Sequence, residues 1–228
     1  MTANETSIAC VLFDLDGTLI DTAADFSTVL DTMKTSRSQQ KIAAEQVHQS
    51  VSNGARALVN LAFNVDEGDP EFDILLQELL DLYLAQLRNT EARLYPGMLD
   101  LLEELEQTEI SWGVVTNKPE KFSTLLLQQL NLLKRCGVLI CPDHVSHRKP
   151  NPEPLLLACE KLACSTDRTM YIGDHQRDMQ AAKNADIIAV AAEYGYLATD
   201  DDISLWNADF VVKSVPDISR LLKILKFA

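Results

Sequence analysis

No apolar run in this 228-residue sequence approaches the roughly 20 residues that a membrane-spanning helix needs. Its first residues, Met1–Ser7, have neither the basic region nor the apolar core of a secretory leader. A soluble, cytoplasmic protein is therefore expected. Cysteine is sparse and odd in number, five residues with no CxxC spacing, which argues against a zinc ribbon or a disulfide framework and for reduced, mostly buried thiols. His144 and His147 lie in a loop with no set of thiols or carboxylates to complete a zinc site. Cationic residues are few as well. Lys and Arg total 20 against 34 Asp and Glu, a net charge of −14, so neither nucleic acid nor an anionic membrane is expected as the main partner. A small anion can still bind such a protein where cations are concentrated locally. No Gly-Lys-Ser/Thr ending marks a Walker A loop, and there is neither an internal repeat nor a low-complexity segment.

What is present is an alternation of short β-rich runs with longer helical patterns, the signature of βαβ units and a parallel sheet. The expected strands are Val11–Asp16, Trp112–Asn117, Val138–Pro142, Thr169–Gly173 and Ile187–Ala191, with Phe210–Val212 at an edge. They are nearly continuous apolar runs, as strands covered on both faces should be. Met98–Gln107 and Pro119–Leu133 repeat leucine at helical spacing, and Asn151-Pro152-Glu153 has the order of a helix start. Between Thr22 and Leu94 the rhythm breaks into helical patterns alone, at Phe26–Met33, Ile42–Val51, Ala55–Phe63 and Phe72–Leu87. The expected organisation is an α/β core of residues 1–20 and 95–228 with a Rossmann-like parallel sheet, carrying an inserted helical cap of residues 21–94. Its hinges are expected near Leu19–Thr22 and Arg93–Gly97.

Four strand ends carry the polar residues. In Phe13-Asp14-Leu15-Asp16-Gly17-Thr18 two carboxylates at i and i+2 project to one side of an extended chain, and Gly17 permits a sharp turn. Like charges that close are costly unless a cation or a shared proton relieves them. Thr116 and Asn117 place a hydroxyl and an amide at the next strand end, suited to phosphate oxygens and equally to capping the helix that follows. Lys149, before Pro150, offers a fixed ammonium. Gly173-Asp174-His175-Gln176-Arg177-Asp178 sets two more acids one helical turn apart, a pattern suited to a cation with oxygen ligands. The open crevice at the carboxyl ends of parallel strands is where such folds bind ligands.

Together, Asp14-x-Asp16-Gly-Thr, Thr116, Lys149-Pro and Gly173-Asp174-x-x-x-Asp178 resemble the four motifs of the haloacid dehalogenase superfamily, and the helical insertion resembles the cap of its phosphoglycolate phosphatase-like branch. The segments Gly113–Pro119, Leu139–Val145 and Lys149–Leu155 look like those of bacterial N-acetylmuramic acid 6-phosphate phosphatases, enzymes of peptidoglycan recycling. The resemblance implies a Mg²⁺-dependent phosphatase for a small phosphorylated metabolite. It casts Asp14 as nucleophile, Asp16 as acid and base, Thr116 as phosphoryl donor and Lys149 as the cation beside Asp14. Mg²⁺ would be held by Asp14, the Asp16 carbonyl and Asp174, with Asp178 behind them orienting a metal-bound water or Lys149. Asn117 is expected to join the phosphoryl donors in contacting substrate. His175 departs from the small hydroxyl residue usual after the motif acid.

The cap should set specificity through Asn53, Gly54 and Arg56, the last either an anchor for a carboxylate or sugar substituent or an exposed residue at a helix start. The intact acids speak against a dehalogenase and a non-catalytic protein. A sugar phosphomutase keeps both acids and stays open as an alternative, as does the choice between monomer and homodimer.

Overall fold

The computed structural model describes residues 7–199 and 201–226; residues 1–6, most of the stretch read above for a leader, lie outside the described residues. Among the described residues no helix is long and apolar enough to cross a membrane. The strands are β1 (Cys10–Phe13), β2 (Ile20–Asp21), β3 (Arg93–Leu94), β4 (Ser111–Val115), β5 (Leu139–Ile140), β6 (Thr169–Gly173), β7 (Ile188–Ala192) and β8 (Phe210–Val212). The helices are α1 (Ala23–Ser36), α2 (Ala44–Ser50), α3 (Gly54–Phe63), α4 (Phe72–Gln86), α5 (Met98–Gln107), α6 (Glu120–Gln129), α7 (Glu153–Leu162), α8 (Gln176–Asn184) and α9 (Val215–Lys226).

Six strands form one sheet in the order β5-β4-β1-β6-β7-β8, every pair parallel, with α-helices between successive strands up to β7 and a single 3₁₀ turn, Ile203–Leu205, between β7 and β8, which is the expected α/β architecture. The alternation within β1 explains why the sheet is covered on both faces. Val11 and Phe13 enter one core with Leu101, Leu102 and Leu105 of α5, Leu126 of α6 and Ile218 of α9. Cys10 and Leu12 enter the other with Leu155 and Ala158 of α7 and Met179 and Ala182 of α8. All four β1 residues are fully buried, so the apolar run needs no polar face. The five cysteines are free, with Cys10, Cys141 and Cys159 buried as expected.

Strand order reverses between β1 and β6, and the chain direction makes the carboxyl ends of β1, β4 and β6 neighbours. That geometry brings residues distant in sequence to one edge.

The helical insertion α1–α4 leaves and re-enters through a ribbon absent from the sequence reading, in which β2 pairs antiparallel with β3, Ile20 opposite Leu94 and Asp21 opposite Arg93. Two-residue strands carry too little pattern to be seen in sequence. Within the insertion α1 packs on α4, where the Phe26 and Tyr83 rings stack at 4.2 Å. Buried Asp25 accepts from the Glu91 N–H at 2.8 Å, from Gln86 Nε2 at 3.0 Å and from the Thr90 hydroxyl, tying α1 to the returning chain.

The start of α1 is capped from the core. The Thr22 side chain does not cap it; the Tyr196 hydroxyl accepts from Thr22 N (2.5 Å) and Ala23 N (3.0 Å) and donates to Asp21 Oδ1 (2.7 Å), which shares the Ala23 N–H at 3.0 Å. Replacing Tyr196 by Phe should cost about 1–3 kcal/mol, the usual penalty for buried groups left without a partner. Urea unfolding of Tyr196→Phe against the parent chain checks this, and unchanged stability would show that the contact is dispensable.

Candidate active site

β1 ends at Phe13, and the next residue is pinned by its own backbone: Asp14 N–H donates to the Ile172 carbonyl of β6 at 2.8 Å. Asp14 therefore stands at the point where strand order reverses. The turn beyond it depends on Gly17, with φ +80°, where an added Cβ would lie 2.0 Å from Asp174 Oδ2. Gly195 allows an equally close approach from the loop after β7, since a Cβ there would meet the Asp174 Cβ at 2.3 Å. Two glycines thus let the backbone press against Asp174.

Lys149 lies at the centre of the site, its side chain 1% exposed. Its ammonium is 3.0 Å from Asp14 Oδ1 and 2.8 Å from Asp178 Oδ1, and it reaches the Tyr171 hydroxyl (2.7 Å) and the Val115 carbonyl (3.1 Å). Of the two tasks expected for Asp178, contact with Lys149 is the one the geometry displays. Its other oxygen accepts from His175 N at 3.1 Å. Tyr171 donates to the Val115 carbonyl at 2.9 Å, which turns its lone pairs toward Lys149.

Burial pulls the Lys149 ammonium toward neutrality, but Asp14 and Asp178 outweigh it and hold its pKa above the ordinary lysine value. Burial raises Asp14 to about 6 against the pull of Lys149. Asp174 is driven well above the usual carboxylate range by burial and by the charges of Asp14 and Asp178.

Ligand atoms of Asp14, Asp174 and Asp178 all lie within 4.8 Å of one another. One buried ammonium faces three carboxylates, so the cluster is short of positive charge. Asp14 Oδ1 is occupied by Lys149 and by Leu15 N, whereas Oδ2 has no donor among the described residues. Asp174 Oδ2 accepts from Tyr196 N (2.9 Å) and Ser52 Oγ (2.7 Å), and Oδ1 has only Thr18 Oγ1 at 3.5 Å. Two under-partnered carboxylate oxygens in a buried, anionic cluster fit a hard divalent cation. The Asp16 side chain is engaged elsewhere, with Oδ1 accepting from Thr22 Oγ1 (2.6 Å) and Lys118 Nζ (2.7 Å).

A cavity of about 910 Å³ opens over this cluster between core and insertion. Asp14, Asp16, Thr116, Asn117, Lys149, Asn53, Gly54 and Arg56 all line it, so the residues expected from sequence for catalysis and substrate contact share one space. Thr116 Oγ1 accepts from Lys118 N at 3.1 Å, which leaves its hydrogen free. Asn117 donates to the Lys149 carbonyl at 3.1 Å, and its Oδ1 is buried without a partner among the described residues. Arg56 is more than half exposed, 3.2 Å from Glu67 and stacked toward Phe72. Gly54 takes φ +85°, and Asn53 Oδ1 lies 3.3 Å from His175 Nε2.

Several residues that complete the arrangement were not picked from sequence. Besides Tyr171 and Tyr196 they are Lys118, whose ammonium also sits 4.6 Å from the Tyr83 ring centroid, and the contacts of Ser52 and Arg177, where Arg177 Nη2 donates to the Ser52 carbonyl at 2.5 Å. Lys118 and Ser52 lie inside segments that carry motif residues, but the carboxylates they bind, Asp16 and Asp174, are over 100 positions away. His175 has a structural account: its Nδ1 accepts from Arg177 N at 3.1 Å and caps α8, the task a small hydroxyl would do. Burial, with Arg177 nearby, lowers its pKa to about 4, so the ring is neutral and free to accept. His144 and His147 do not meet; they turn to Cys141 N and Glu153.

A parallel sheet thus carries a buried acid–ammonium cluster at its carboxyl edge, beneath an inserted helical segment. Residues 11–192 match the family described as haloacid dehalogenase-like hydrolase, and the chain belongs to that family. It is 41% identical over 205 residues to the N-acetylmuramic acid 6-phosphate phosphatase of Pseudomonas aeruginosa, covering 90% of each chain. It is equally 41% identical over 209 residues to a phosphoglycolate phosphatase of Xanthomonas campestris pv. campestris, covering 91% of this chain and 93% of the relative. The crystal structure of a predicted phosphoglycolate phosphatase from Haemophilus somnus superposes with a TM-score of 0.81 at 24% identity, over 94% of this chain and 97% of the other, which shows the shared fold.

Removing the Lys149 charge should leave two buried carboxylates facing each other. Lys149→Met is expected to cost about 3–5 kcal/mol at neutral pH, the range for one partner lost from a buried pair. The deficit should shrink as pH falls toward 5, because the folded variant then holds protons on acids whose pKa lies above the unfolded value. Urea midpoints at the two pH values check both statements; a deficit that grows on acidification would contradict the assignment.

Proposed function

We propose that the protein is a cytoplasmic, Mg²⁺-dependent phosphomonoester hydrolase acting through a phosphoryl group carried on Asp14. The observation that supports this reading best is the buried Lys149 ammonium shared by Asp14 and Asp178. It leaves Asp14 Oδ2 without a donor beside an equally under-partnered Asp174.

In the first half-reaction an Asp14 oxygen attacks phosphorus, the ester P–O bond breaks, and Asp16 gives a proton to the departing oxygen. In the second, Asp16 takes a proton from water as that water attacks phosphorus. Inorganic phosphate leaves and the Asp14 carboxylate is restored. Lys149 keeps Asp14 oriented and offsets negative charge where it develops. Thr116 offers its free hydroxyl hydrogen to a phosphoryl oxygen. Asp14, the Asp16 carbonyl and Asp174 would hold Mg²⁺, which when bound supplies the positive charge that this anionic cluster and an anionic substrate require.

The size and lining of the cavity support one of the two activities named among the relatives over the other. Phe26, Phe72, Leu76, Leu80 and Tyr83 of the insertion, with Phe122 of α6, give it a broad apolar wall, and its volume is about 910 Å³. A glycolate-sized substrate would leave most of that space unfilled. A bulky sugar phosphate such as N-acetylmuramic acid 6-phosphate occupies more of it and brings a carboxylate for Arg56. We therefore favour the larger substrate.

A phosphate-release screen with Mg²⁺ over N-acetylmuramic acid 6-phosphate, phosphoglycolate and nucleoside monophosphates tests this, with the first expected to give the highest kcat/KM. Asp14→Asn and chelation by EDTA should each abolish turnover, and Mg²⁺ should restore only the chelated enzyme. Metal-independent turnover would contradict the site assignment, and a sugar phosphate isomer formed with little phosphate would mark a mutase. Arg56→Ala should raise KM for substrates bearing an acid and spare neutral sugar phosphates; equal losses on both would exclude Arg56 as the acid anchor.

A further inference from the structure

The contacts of Asp16 are one-sided. Lys118 Nζ (2.7 Å) and Thr22 Oγ1 (2.6 Å) both reach Oδ1, and no donor among the described residues reaches Oδ2. The two clamps come from different parts of the fold, Lys118 from the turn between β4 and α6, Thr22 from the exit of β2 into the insertion. Lys118 is itself held. Its side chain is 8% exposed, and its ammonium lies 4.6 Å from the Tyr83 ring centroid and 5.2 Å from that of Phe26, two rings of the insertion. A lysine on a flexible stem costs rotamer entropy to fix, and here a carboxylate and two aromatic faces offset that cost.

We infer that Lys118 is a positioning residue for the leaving group: it locks Asp16 Oδ1 so that Oδ2 is the oxygen exchanging a proton with the departing ester oxygen. The inference rests on the hydrolase reading above. The step balances: the Asp14 O–P bond forms, the ester P–O bond breaks with its electron pair going to the leaving oxygen, and the Oδ2 proton moves to that oxygen. Asp16 is left as a carboxylate facing the Lys118 ammonium. Because Lys118 and the rings of Phe26 and Tyr83 line the same cavity, the insertion that receives the substrate also holds the residue orienting the acid.

Leaving groups that differ in their need for a proton test this. An alkyl phosphate departs as an alkoxide and needs the acid, while p-nitrophenyl phosphate departs as a stable phenolate. Lys118→Met should lower the single-turnover rate of ester cleavage on the best alkyl phosphomonoester of the screen by about 10²-fold, the size of a general-acid contribution, and the first-turnover release of p-nitrophenolate by far less. The later water attack, in which Asp16 is the base, is common to both substrates and is left out of the comparison. KM should change little for either. A second measurement uses Asp16→Asn: adding Lys118→Met to that variant should lower its residual cleavage rate on the alkyl phosphomonoester no further, since groups acting as a unit are not additive. Equal losses on both substrates, a loss carried by KM, or additive losses in the double variant would overturn the inference while leaving the hydrolase reading in place. A parent enzyme that releases phosphate from no monoester would remove both.

Discussion

Three carboxylates and one ammonium share a buried pocket, and most of the polar architecture around it follows from that imbalance. Lys149 cannot be solvated where it lies, so it is held by Asp14, Asp178, Tyr171 and the Val115 carbonyl together. A buried charge is tolerated when its hydrogen-bonding capacity is met and its partners are fixed. Asp178 is fixed in turn by the His175 amide, and Asp14 by the amide of Leu15. The charge left over, on Asp14 and Asp174, is what a divalent cation would neutralise. The same arrangement that is costly without a cation is suited to gripping an anionic ester with one.

The insertion is bound into this electrostatic system. Ser52 donates to Asp174, Arg177 donates to the Ser52 carbonyl, and Tyr196 contacts Asp174 through its backbone N–H while its hydroxyl caps α1. Lys118 and Thr22 do the same for Asp16. The acids at the sheet edge are therefore oriented partly by the insertion that walls the cavity.

Much of the architecture could be read along the chain because its signals are local. The apolar runs of β1, β4 and β6 and the leucine periodicity of α5 are each contained within a few residues, and both-face burial explains why the runs are continuous. Asp14, Thr116 and Asp174 stand out because each directly follows or lies at the end of such a run, and parallel topology brings strand ends together; Lys149 lies in the loop nine residues beyond β5 and is marked instead by the proline after it. What escaped depends on long-range pairing. Tyr171 looked like any strand residue, yet its hydroxyl turns inward to Lys149, 22 positions away. Tyr196 lies in a loop and caps a helix 174 positions earlier. The β2–β3 ribbon is two residues long on each side, below any periodic signal. Asn53 and Arg56 were legible as a polar connection, and the chain alone could not show that one faces His175 and the other Glu67.

The central claim is that a phosphoryl group passes through Asp14. The most direct measurement is mass spectrometry of peptides from enzyme quenched in acid during turnover of its best phosphomonoester with Mg²⁺. The account predicts a phosphoryl group on the peptide containing Asp14, absent without substrate and absent in Asp14→Asn. Steady phosphate release by the parent enzyme with that peptide unmodified, or turnover persisting in Asp14→Asn, would contradict it.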